Sequence, residues 1–182
     1  MIFRTPSGVL TTRAQAAEVR LDLETQFEAD SHAELELSFA GVDALTISFA
    51  DEFLGRFLTE LQATARDPGP ILVTGLTEDT WQEVDVVLER RKLGAAFTLN
   101  GRLDLLGGDR YLKATFRHAV EMGACTPGKL AAGLGITVPN ANNRLKKLVE
   151  MGALQRTRSP VAGGGREFTY EVPEGFQAAS AS

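Results

Sequence analysis

Residues 34–39, Glu-Leu-Glu-Leu-Ser-Phe, alternate without a break between polar and apolar side chains. In an extended chain Leu35, Leu37 and Phe39 face one side and Glu34, Glu36 and Ser38 the other, the signature of a half-buried strand. That strand sits between two stretches of helical period. Before it, residues 12–27 place Ala16, Val19, Leu23 and Phe27 on one face, with Thr12 and Gln15 spaced as a capping box. After it, Ser48 is expected to cap a helix whose apolar side is Phe49, Ala50, Phe53, Leu54, Phe57, Leu58 and Leu61. Asp67-Pro68-Gly69-Pro70 then reads as a turn, residues 71–74 as a short apolar strand, and a further helix from Thr77 carries Trp81, Val84 and Leu88 inward and ends near Gly94. This alternation predicts an α/β (α+β) fold, a mixed sheet covered by helices.

The second half has a different character. Residues 1–105 hold 9 Lys/Arg against 18 Asp/Glu, whereas residues 106–182 hold 10 against 6. Within 126–166, Lys129, Arg144, Lys146, Lys147, Arg156, Arg158 and Arg166 face Glu150 alone. Such asymmetry predicts two domains with different partners. Asn100-Gly101 and Gly107-Gly108 bracket a short segment read as a connector, so the boundary is placed at 105/106. An acidic half could also cover a basic half in cis.

Beyond the boundary, Asp109 caps a helix to about Met122 with Leu112, Phe116 and Val120 inward. Thr126-Pro127 opens a short helix holding Leu130 and Leu134, which Gly135 ends; Thr137 caps a third, and Gly152 ends it. Two strand-like segments follow, joined across Gly163-Gly164-Gly165. This order over residues 109–172 resembles the winged helix-turn-helix domains of bacterial transcription regulators. At 100° per residue, Ala141, Leu145 and Leu148 gather on one side of the third helix, while Asn143 and Lys147 lie opposite with Asn140 and Lys146 beside them. Asparagine is a poor helix former, so three at one helix front suggest a task there. In a helix-turn-helix, that front meets base edges. The resemblance therefore implies that Asn140, Asn142 and Asn143 read bases, that Arg144, Lys146 and Lys147 hold phosphates, and that Arg156, Arg158 and Arg166 of the wing meet the backbone or minor groove.

The first half resembles a STAS-like family of uncharacterised role. The matching residues are Gly8, Thr12-Arg13, Gly41-Val42 and Ser48-Phe49-Ala50-Asp51-Glu52. STAS domains serve regulated protein contacts, as in anti-sigma-factor antagonists. Those antagonists carry a phosphorylatable serine in an Asp-Ser-Ser-Gly pattern. Here the junction reads Thr46-Ile47-Ser48-Phe49, and the modified position falls on Ile47. The resemblance implies a partner surface at Arg13, Ser48, Asp51 and Glu52.

Catalytic and metal chemistry are not expected. His32 and His118 lie far apart, and Cys125 is the only cysteine, so neither zinc spacing nor a disulfide within the chain is available. No phosphate-binding loop, dinucleotide fingerprint or nucleophile elbow occurs. No signal peptide or spanning apolar run is read, so a cytoplasmic, non-membrane location is expected. The expectation is a cofactor-free, non-enzymatic regulator that binds double-stranded DNA, as a homodimer. Residues 1–105 form its STAS-like sensory or docking domain, which can take a protein partner; residues 106–174 form its DNA-binding domain. The recognition helix spans 138–150, the wing 155–170, and 175–182 is a frayed tail. The alternative is a protein-interaction adaptor of the anti-sigma-antagonist type, whose winged helix binds protein.

Overall fold

The computed structural model describes residues 1–29, 34–64, 69–160 and 166–176. Its centre is a mixed sheet in the order β1-β3-β5-β6-β7, formed by Ile2–Arg4, Leu35–Ser38, Ile71–Thr74, Gly94–Leu99 and Arg102–Gly107. The first four of these strands run parallel, and β7 returns antiparallel to β6. A small parallel pair, β2 (Gly8–Leu10) with β4 (Val42–Leu45), stands beside it. The mixed α/β architecture read from the sequence is thus present.

The sheet is apolar on both faces. Along β5, Ile71 and Val73 join one buried cluster and Leu72 the other. Along β6, Ala95 and Phe97 oppose Ala96; along β7, Leu106 opposes Leu105. Successive side chains of a strand point to opposite faces, so each face needs its own cover. The first cover is α1 (Arg13–Ala29), a rod made of α2 (Ile47–Ala50), a π-helical turn at Asp51–Gly55 and α3 (Arg56–Ala63), and α4 (Thr80–Arg91). The second is α5 (Arg110–Met122), α6 (Pro127–Leu134) and α7 (Val138–Glu150), which bring Leu112, Phe116, Leu130, Ala141, Leu145 and Leu148 onto Leu72, Ala96 and Leu105. A hairpin of β8 (Gln155–Pro160) and β9 (Arg166–Glu171) follows and adds Tyr170 to this core.

Several expectations change. Residues 102–107 are not a connector but the edge strand β7, so the boundary expected at 105/106 falls inside a strand. Asn100 and Gly101 have φ of 51° and 72°, and Leu99 pairs with Arg102. This is a two-residue hairpin turn with positive φ at both positions, which Asn-Gly favours. β1, β2 and β6 were not foreseen. The tail expected to fray from 175 instead sends Phe176 into the second core; residues 177–182 lie outside the described ones, as do His32, Asp67-Pro68 of the turn at 67–70 and the glycine run at 163–165.

The helix starts after the boundary are as read. Asp109 Oδ1 accepts from the Tyr111 and Leu112 amides at 2.8 and 2.9 Å, and Thr126 and Thr137 cap α6 and α7. Gly152, at φ 68°, ends the turn after α7 and lets the chain pass close to β5: its carbonyl accepts from the Ile71 amide at 2.9 Å, and a Cβ there would lie 2.5 Å from the Gly69 oxygen. Two ion pairs add to this junction, Lys113 with Asp85 at 2.8 Å and Arg117 with Asp104 at 2.7 Å.

Truncating Leu72, which supports only the second cover, is expected to cost about 2–5 kcal/mol in urea denaturation. A loss below about 0.5 kcal/mol, the range of ordinary surface changes, would mean the C-terminal helices do not rest on this face.

Candidate nucleic-acid interface

The wheel drawn from the sequence matches the faces of α7. Ala141, Leu145 and Leu148 are fully buried, while Asn140, Asn143, Lys146 and Lys147 are exposed. Ala141, the smallest of the three, is buried in the second core. Proline at its first turn costs no hydrogen bond there, and Thr137 Oγ1 accepts from the Asn140 amide at 3.4 Å.

The three asparagines are not equivalent. Asn140 Oδ1 accepts from Arg144 Nε at 2.9 Å, one turn along the helix. Asn142 is half-buried, and its Oδ1 takes the hydroxyl of the buried Tyr170 at 3.3 Å. Asn143 is exposed, with no side-chain hydrogen bond among the described residues.

The Tyr170 contact also joins helix to hairpin. Arg156 lies opposite Tyr170 in the ladder and Arg158 opposite Phe168. Directly paired and alternate residues share a face, so Arg156, Arg158, Phe168 and Tyr170 stand on one side of the hairpin. The guanidinium carbons of Arg156 and Arg158 sit 4.5 and 5.4 Å from the centre of the Phe168 ring. Stacking on an aromatic face orders these side chains while leaving their N–H groups available. Arg166 opens β9 opposite Pro160. Lys129, Lys146, Lys147, Arg156 and Arg158 form no ion pair among the described residues, and no acidic residue before 106 reaches them. The acidic half thus pairs with Lys113 and Arg117 of the basic half, but its described residues leave these five cations uncovered.

Arg144 behaves differently from the cations around it. Besides holding Asn140, its Nη1 donates to Thr115 Oγ1 at 3.4 Å, and its guanidinium carbon lies 5.1 Å from the centre of the Tyr111 ring. Arg110 stacks on the same ring at 4.6 Å. Neither Tyr111, half-exposed at the start of α5, nor Phe168 was singled out from the sequence. The only available signal was an aromatic next to or two residues from arginines.

The second candidate surface lies on the first cover. Thr46, not Ser48, caps α2: its Oγ1 accepts from the Phe49 amide at 3.3 Å and donates to the Thr11 carbonyl at 2.9 Å. Pairing of β4 with β2 runs through Leu45 and the Thr46 amide binds the Leu10 carbonyl, which starts the helix two residues sooner than expected. Ser48 is then a half-buried residue of the first turn. Arg13 reaches Asp51 at 3.6 Å and Glu52 at 3.7 Å. Arg91 Nε donates to Asp51 at 2.7 Å, and Arg56 to the largely buried Glu52 at 3.0 Å. Arg20 binds Glu24 at 2.6 Å and approaches Glu52 and Glu60. Arg13, Asp51 and Glu52 thus come together, in a network that ties α1 and α4 to the π-helical turn. Cys125 is buried beneath the hairpin, and that burial pushes its thiol up, so it is a poor nucleophile.

The hydrogen bond from Arg91, offset in part by burial, holds the Asp51 carboxyl below the usual carboxylate range. A lowered carboxyl contributes stability that is complete above its unfolded value of about 3.9 and is lost as pH falls through the folded value. The stability difference between the native chain and Asp51→Asn should therefore be full near neutrality and shrink below about pH 4. Urea denaturation across that range checks it; a difference independent of pH would contradict the pairing. A family model covers Arg20, Asp51, Glu52 and Arg56 of this network but neither Arg13 nor Arg91. The family model for the STAS-like domain of unknown function (DUF4325) matches residues 15–67. No curated protein matches the chain. Among solved structures, a possible transcriptional regulator from Methanosarcina mazei Go1 is similar over 39% of this chain and 61% of its own, less than two thirds of its length, at 20% identity with a TM-score of 0.35.

Proposed function

We propose that this chain is a non-enzymatic, cytoplasmic transcriptional regulator that binds double-stranded DNA as a homodimer. The observation that carries the reading is convergence. The asparagine front and lysines of α7 join, through the Asn142–Tyr170 hydrogen bond, the hairpin face bearing Arg156 and Arg158. A three-helix unit followed by a basic hairpin is the winged-helix arrangement. In it, residues 138–150 enter the major groove, and the hairpin at 155–170 lies on the backbone or minor groove. Asn143 then reads a base edge, and Lys146, Lys147, Arg156, Arg158 and Arg166 neutralise phosphates. The central sheet with its first cover acts as the STAS-like sensory or docking part, with Arg13, Ser48, Asp51 and Glu52 at the partner surface, and residues 109–174, which follow β7, act as the DNA-binding part.

Phosphate contacts release condensed counterions, so binding should weaken steeply with salt. Lys147→Ala is expected to reduce the slope of log K against log salt by about 0.9 and to weaken all duplexes alike. Asn143→Ala should instead cost about 1–3 kcal/mol of discrimination at one base pair. Anisotropy titrations over a salt series check both, and an Asn143→Ala variant with unchanged preference would remove the base-reading role. Light scattering of the complex should give two chains on a two-fold site; a single chain bound tightly would contradict the homodimer.

A further inference from the structure

We propose, on the reading above, that Arg144 is a positioning residue rather than a DNA contact. It fixes the Asn140 carboxamide so that Asn140 reads guanine while the unheld Asn143 is suited to adenine. A guanidinium carries only donors. The Asn140 atom 2.9 Å from Arg144 Nε is therefore the carbonyl oxygen, and the NH2 group forms the free end of the amide. The guanidinium is itself anchored on α5, by Thr115 Oγ1 at 3.4 Å and by the Tyr111 ring. Thr115 is fully buried, and its hydroxyl is held by the Tyr111 carbonyl at 2.7 Å, so the anchor is a fixed part of the core.

The consequence follows from base-edge chemistry. In the major groove, guanine offers two adjacent acceptors, O6 and N7, whereas adenine offers the N7 acceptor beside the N6 donor. An amide presenting only its NH2 can serve both guanine atoms. To pair with adenine at both atoms it must also accept, and its oxygen is turned toward Arg144. Asn143 has no such tether and can present oxygen and NH2 together. The same geometry removes Arg144 from the set of cations that hold phosphate, unlike Lys146 and Lys147, which project freely.

The test uses the intact chain and a pool of randomised duplexes, with a salt titration on the selected site. Asn140→Ala identifies the base pair that Asn140 reads. The wild type should prefer guanine there. Arg144→Met should flatten that preference by about 5-fold or more while leaving the salt slope at its wild-type value. Tyr111→Leu removes the ring contact of the anchor, leaves the Thr115 contact and every α7 residue in place, does not open the core because Tyr111 is half-exposed, and should flatten the preference in part. Adenine at that position in the wild type overturns the inference. So does an Arg144→Met variant that keeps its preference but loses about 0.9 in salt slope, the behaviour of a phosphate contact. A wild type that binds no duplex at low salt is a different failure: it removes the DNA reading, and this inference with it.

Discussion

Burial of both faces of β5 and β6 is the constraint on which the rest of the structure depends. Leu72 and Ala96 face away from Ile71, Val73, Ala95 and Phe97, and water cannot be left against either set without losing the burial that orders the sheet. The chain supplies one cover from its own β/α alternation. The other is the three-helix unit, so the part expected to act as a separate module is also the second layer of the sheet. The carbonyl of Gly152 on the Ile71 amide and the Asp85–Lys113 pair fasten the same junction with polar contacts.

This arrangement fixes what α7 can present outward. Its apolar side is committed to the second core through Ala141, Leu145 and Leu148, so its amide and lysine side is left facing solvent. The buried Tyr170 then sets the hairpin beside it, and the Arg156 and Arg158 guanidiniums lie on Phe168 on that same side. The acidic half makes its ion pairs mostly among its own helices, around Asp51 and Glu52, so the basic face stays open.

Much of this was legible in the residues. Alternation at 34–39, caps at Asp109, Thr126 and Thr137, and the apolar stripe of α7 are local patterns, and local patterns survive folding. What failed depended on partners distant in sequence. β1 and β2 have three residues each, too short for a period, and exist because β3 and β4 pair with them. Residues 95–105 were readable in principle, since Asn100-Gly101 between alternating segments is a hairpin signal. Reading the pair as a boundary hid β6 and β7, and with them the second face of the sheet. At the interface, composition located the cations but gave them one role. Only geometry distinguishes Arg144, held against Tyr111 and Thr115, from Lys146 and Lys147. Ser48 was mistaken for a cap because the strand pairing that extends Thr46 is not visible locally.

The most direct measurement of the central claim is genome-wide recovery of DNA bound by the intact chain, set beside the Asn143→Ala/Lys147→Ala double variant. The account predicts a shared, two-fold sequence motif among the wild-type fragments that disappears in the variant. Fragments without a common motif, or a motif the variant keeps, would contradict sequence reading by α7.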